Sequence, residues 1–118
     1  MMSFDAAWPF FEKAAQRDGG HYGREYVLTE IHEGRACYWA NEGAAAVTRI
    51  NTYPDGTREI YGWLGGGDLK ALTRLVEEII IPAAKHMGCT KATISGRKGF
   101  ERAFRGFRLS SVQITKDI

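Results

Sequence analysis

The sequence is poor in the residues that staple or poison a small fold. It holds two cysteines, Cys37 and Cys89, far apart and without CxxC spacing. Neither a disulfide framework nor a zinc ribbon is built from such a pair, and both are expected to be buried free thiols. Three histidines, His21, His32 and His86, share no metal-ligand spacing with the cysteines, so no metal site is expected. No apolar run approaches the about 18–20 residues of a membrane span. The start, MMSFDAAWPFFEK, has acids early and no basic region before an apolar stretch; it is not read as a signal peptide, and the chain is expected in the cytoplasm. Internal repeats, low-complexity tracts and linkers are also missing, which leaves one domain over residues 1–118.

What is present suits a globular domain. Apolar residues make up 44% and charged residues 25% of the 118, enough for one hydrophobic core. The net charge of +2 is unevenly spread: residues 1–84 carry eight Lys/Arg against twelve Asp/Glu, and residues 85–118 carry eight against two. A basic C-terminal surface is therefore expected, suited to a phosphate, a nucleic acid backbone or an acidic partner protein.

Residues 3–17 read as a helix with Phe4, Trp8, Phe11 and Ala15 on one face and Ser3 or Asp5 as cap. Because Pro9 is best tolerated in a first turn, the helix is expected to begin near Ala7 or Trp8. Residues 22–34 make a shorter helix with Tyr26 or Val27, Ile31 and Leu28 as its stripe, stopped by Gly34. Three strands follow, at about 35–40, 44–53 and 58–64, joined by the turns Asn41-Glu42-Gly43 and Tyr53-Pro54-Asp55-Gly56. Short turns make them an antiparallel meander. In the third, Ile60, Gly62 and Leu64 alternate against Glu59, Tyr61 and Trp63.

The stretch from Arg58 to Gly88 organises the rest. The third strand runs into Gly65-Gly66-Gly67, read as a turn, and Asp68 caps a long helix over 68–87. The apolar positions 69, 72, 76, 79, 83 and 87 give that helix a single face, and Pro82 is expected to kink its last turns. A strand at 89–96 follows by a helical crossover, which suits parallel pairing. A short helix at 99–105 is pinned by Phe100 and Phe104, or by Ala103 and Phe107, and a last strand spans 108–115. The order α-α-β-β-β-α-β-α-β implies an α+β fold: a mixed sheet of about five strands, an antiparallel meander plus a parallel crossover, with helices on its faces.

Several stretches, taken in this order and spacing, resemble a known family. They are Gly34-Arg35-Ala36 with Trp39, Ala46-Val47-Thr48, Tyr53-Pro54, Trp63-Leu64 with Gly66-Gly67-Asp68-Leu69, and Gly88-Cys89 leading to Gly96-Arg97-Lys98-Gly99-Phe100 and Gly106-Phe107. Over roughly residues 24–118 the chain resembles the GNAT N-acetyltransferases, and among them the small GNAT-like proteins of phage and prophage structural regions. The resemblance implies acetyl-CoA as donor, its pyrophosphate held at a Gln/Arg-x-x-Gly-x-Gly/Ala turn that opens the long helix. The matching positions here are Leu64, Gly65, Gly66 and Gly67, followed by Asp68; the leading Gln or Arg has no counterpart. The family's acid tyrosine would fall near Arg102. Glu59, Tyr61 and Tyr53 are the available groups on the meander, and none has a spacing that marks it as catalytic.

The basic residues Arg97, Lys98, Arg102, Arg105 and Arg108 form a candidate patch for the 3′-phosphate of coenzyme A, for an acidic protein or for nucleic acid. Trp8, Trp39 and Trp63 are expected to be exposed and to supply contact surface. Two function classes follow. One is a phage-type GNAT-like protein that has lost catalysis and serves as an interaction or virion-associated structural protein, partnered by phage structural proteins and working in the host cytoplasm or the virion. The other is an active acetyl-CoA-dependent N-acetyltransferase with a divergent cofactor loop. A nucleic-acid binder acting through the basic end is the third reading; a membrane partner is not expected.

Overall fold

The computed structural model describes residues 1–17, 19–95, 100–110 and 114–118. Its described elements are α1 (Phe4–Arg17), α2 (Arg24–His32), β1 (Cys37–Ala40), β2 (Ala44–Thr52), β3 (Arg58–Gly67), α3 (Leu69–Leu75), a π-helical segment (Val76–Ile80), α4 (Ile81–His86), β4 (Lys91–Ile94) and α5 (Phe100–Ala103). The sheet order is β1-β2-β3-β4. β1, β2 and β3 form the antiparallel meander, and β4 joins β3 in parallel. Both turns of the meander are as read. Gly56 donates to the Tyr53 carbonyl at 2.9 Å with φ +88°. Asn41 Oδ1 accepts from the amides of Gly43 and Ala44, while its Nδ2 donates to the Ala71 carbonyl at 2.9 Å.

Both faces of the sheet are covered. On one, Ala7, Phe11 and Ala15 of α1 and Val27 of α2 pack on Ala45, Val47, Trp63 and Leu64. On the other, Ala71, Leu72, Leu75, Val76, Ile80, Ala84 and Phe104 pack on Ala44, Ala46 and Ile60. A strand covered on both sides reads as a continuous apolar run, and residues 44–48 of β2 are accordingly all buried.

Four expectations are corrected. The helix α1 starts at Phe4, not near Ala7, because Ser3 Oγ accepts from the Ala6 amide at 3.2 Å and caps it there; Pro9 lies inside. The long helix does not bury positions 69, 79 and 87, which are exposed; it buries 71, 72, 75, 76, 80 and 84. The cause is Pro82. Its ring disfavours an α-turn against the carbonyl four residues back, and the helix widens just before it, the Ile81 amide reaching the Val76 carbonyl. A π-turn takes in one more residue than an α-turn, so the buried stripe runs 76, 80, 84. The described sheet has four strands, not five. Residues 108–110 and 114–118 form no strand, and Leu109 and Ile114 are exposed. Residues 111–113 of the expected last strand lie outside the described residues. Finally, Cys37 is exposed on β1, an edge strand, and only Cys89 is buried.

Candidate functional site

The site is built around the C-terminal half of β3. Gly65, Gly66 and Gly67 are not a turn; they are strand, paired with Ala46, Ala45 and Ala44 of β2. Two of the three have a packing reason. A Cβ on Gly66 would lie 2.4 Å from the Phe10 Cβ of α1, and one on Gly67, which has φ +109°, would lie 2.4 Å from the Gly43 carbonyl oxygen. Only Gly65 has room, with its nearest neighbours at 3.8 Å. The side chain of Leu64 is buried on the α1 side.

That placement of Leu64 departs from simple alternation, and the reason is a bulge. Val47 pairs with Leu64 and Thr48 with Gly62, leaving Trp63 as the extra residue of β3. A bulge shifts every later side chain to the opposite face, so Trp63 and Leu64 both join the α1–α2 cluster. β4 pairs with β3 only from Glu59↔Lys91 to Gly62↔Ile94. From Trp63 to Gly67, the edge of β3 on the β4 side therefore has no strand beside it among the described residues. The opening starts at the bulge and ends at the N-terminus of α3.

At that end Asp68 behaves as read. Its Oδ2 accepts from the Ala71 amide at 2.9 Å, and its own amide donates to the Gly43 carbonyl at 2.9 Å. The helix N-terminus, the usual seat of an anion, is thus filled by the chain's own carboxylate. Positive charge lies along the first two turns of the helix. Lys70 and Arg74, exposed and four residues apart on α3, line with Leu69, Thr73 and Ala103 a shallow groove of about 430 Å³ between α3 and α5. Of the basic patch, Arg102, Arg105 and Arg108 are exposed near α5, while Arg97 and Lys98 lie outside the described residues. Phe104 is buried in the core, with Phe107 edge-on to it at 5.7 Å.

The other sequence candidates separate clearly. Glu59 is buried, 4% exposed. It accepts from Thr93 Oγ1 at 2.5 Å, Tyr53 OH at 2.8 Å and Asn51 Nδ2 at 3.0 Å, with Lys91 Nζ at 3.8 Å. Burial disfavours its charge, but these donors prevail and hold the carboxyl below its usual range. A carboxylate so satisfied is a poor base; it fastens β2, β3 and β4 together. Because its folded-state pKa is depressed, its stabilisation is present above the usual carboxylate range and lost as pH falls through the native value. We expect Glu59→Gln to lower stability at pH 7 and to flatten the acid limb of a denaturant-midpoint series; an acid limb unchanged from native would show that Glu59 is not its source.

Of the three tryptophans expected to be exposed, Trp63 is buried and Trp8 and Trp39 are half-buried. Trp63 is buried under Tyr22 and Tyr26 at 5.1 and 6.1 Å between centroids, and Trp39 Nε1 donates to Thr48 Oγ1 at 2.8 Å. Trp8 stacks on Phe4 at 6.0 Å.

One group escaped the sequence reading. Glu30 of α2 is 5% exposed, ion-paired to Arg35 at 2.7 Å and to Arg49 at 3.1 Å. The Arg35 hydrogen bond, ahead of the burial that opposes it, lowers the Glu30 pKa. Its only sequence signal was position: three residues after Val27, Glu30 falls on the buried stripe of α2.

Among the described residues, no cluster of three or more His, Cys, Asp or Glu could hold a metal ion, and no helix is long and apolar enough to cross a membrane.

Comparison with known proteins bears on this arrangement. No family model matches the sequence, and no curated protein does. Solved structures do match. Glucosamine-6-phosphate N-acetyltransferase from Arabidopsis thaliana superposes with a TM-score of 0.62 at 17% identity, over 95% of this chain and 90% of that one. An acetyltransferase from Trypanosoma brucei gives 0.57 at 10% identity, over 100% and 97%. A protein from Thermus thermophilus gives 0.61 at 15%, over 98% and 96%. The chain has a GNAT-like fold. Identities this low carry the fold alone. The sources are a plant, a trypanosome and a bacterium, so the likeness to phage proteins gains nothing from them.

Proposed function

We propose that the chain is an acetyl-CoA-dependent N-acetyltransferase. The observation that carries the reading is the edge of β3, which runs from Trp63 to Gly67 with no strand beside it among the described residues. An extended ligand arm can lie along such an edge as a surrogate strand, matched by backbone N–H and C=O groups. The bulge supports the same reading, because bulges gather where strand pairing ends beside functional sites. The thioester supplies the activated acetyl group. The chain's part is to fix the donor along the edge and hold its phosphates. With Asp68 on the helix N-terminus, that second task falls to Lys70 and Arg74 in the groove beside α5.

One observation favours a second reading, an interaction domain that no longer takes the cofactor: the filled helix N-terminus. Titration calorimetry with acetyl-CoA separates the two. The native chain is expected to bind saturably. Asp68→Asn keeps a good cap while removing the charge facing the phosphates, and is expected to tighten binding about fivefold. No heat from either protein up to millimolar acetyl-CoA would leave the interaction domain as the better reading.

A further inference from the structure

Glu30 shares its carboxylate between two arginines, and what it leaves over is informative. Arg35 donates through Nε to Oε2, and Arg49 through Nη1 to Oε1. Among the described residues the remaining guanidinium N–H groups of both have no protein acceptor. The side chain of Glu30 is 7% exposed, that of Arg49 29% and that of Arg35 55%. A buried anion thus holds two guanidiniums in place, with open donors toward solvent and one positive charge in excess. Arginine's planar fork is suited to oxyanions in this role. Glu33, exposed near the end of α2, acts on Arg35 electrostatically but makes no described ion pair.

The location ties this pair to the candidate site. The Arg49 guanidinium lies 4.0 Å from the Trp63 ring centroid, and Trp63 is the bulge residue at which the open edge of β3 begins. Arg49 is also the cross-strand partner of Tyr61, next to the last pairing of β3 with β4 at Gly62. We propose that Arg49 and Arg35 form an oxyanion site that takes the acidic group of the acceptor, a small amine carrying a phosphate or a carboxylate. The acceptor role rests on the acetyltransferase reading; the oxyanion site does not.

The test has two stages. Inorganic phosphate is titrated into the native chain while ¹H–¹⁵N spectra follow the Arg Nε and Trp indole signals. Saturable shifts of Arg49, Arg35 and Trp63 are expected, lost in Arg49→Gln and in Arg35→Gln, the second serving if the first does not fold. Glu33→Gln should tighten the binding. Absence of saturable shifts, or shifts that survive both variants, overturns the site. Acetyl transfer from acetyl-CoA is then compared for O-phosphoethanolamine, β-alanine and ethanolamine. The two anionic amines are expected to exceed ethanolamine at least about tenfold in kcat/KM, with the advantage gone in the variants; whichever of the two is faster identifies phosphate or carboxylate as the natural group. Equal rates for all three overturn the acceptor role. Phosphate shifts without acetyl-CoA binding would remove that role and the acetyltransferase reading together, and leave the oxyanion site standing.

Discussion

Gly67→Ala is expected to destabilise the fold by about 3 kcal/mol or more. Two costs add. The residue has φ +109°, a conformation that a Cβ disfavours. The new methyl would also lie 2.4 Å from the Gly43 carbonyl oxygen and 2.8 Å from the Ala44 Cα. These are backbone atoms, and the Gly43 carbonyl is held by the Asp68 amide, so the strain cannot be relieved by turning a side chain. Thermal melts should show a fall in Tm of about 10 °C or more for a domain of this size. Gly65→Ala is the control, since its methyl would meet nothing closer than 3.8 Å, and its effect should stay within about 1 kcal/mol. Equal losses at the two positions would mean that the glycines are not specialised in the way the strand requires.

Reversing both groove charges, Lys70→Glu with Arg74→Glu, is expected to weaken acetyl-CoA binding at least about 100-fold, because two charge-assisted contacts become repulsive. Both side chains are exposed, so stability should change by less than about 1 kcal/mol, which separates a binding effect from unfolding. The same reversal at Arg105 and Arg108 should cost much less, since neither residue lines the groove. If the two double variants were equally damaging, the phosphates would be held by a diffuse basic field, not by the α3–α5 groove.

Much of this fold was legible because local signals agreed with tertiary ones. The Pro54-Asp55-Gly56 turn and the Asp68 cap are fixed by chemistry within a few residues, and the parallel return of β4 by the length of the helical crossover before it. The failures share a cause. Gly65-Gly66-Gly67 looks like a turn because glycine is common in turns; here the neighbours that matter come from elsewhere in the chain, Phe10 on α1 and Gly43 and Ala44 at the β1–β2 turn. The Trp63 bulge has no local signature and emerges only from the pairing with β2. Pro82 signals a break in the helix, but a widened turn, unlike a kink, redistributes the buried face beyond it. Glu30 and Glu59 are charged residues, exposed by default, and their burial depends on Arg49 and Thr93, distant in sequence.

The central claim is that the open edge of β3 is where the donor lies. Backbone ¹H–¹⁵N spectra of the native chain during titration with acetyl-CoA test it most directly. The account predicts saturable shifts at Trp63 to Gly67 and at Lys70 and Arg74, with little change at Glu59 and Thr93. Saturable binding with shifts confined to other parts of the chain, or spectra unchanged at millimolar acetyl-CoA, would contradict it.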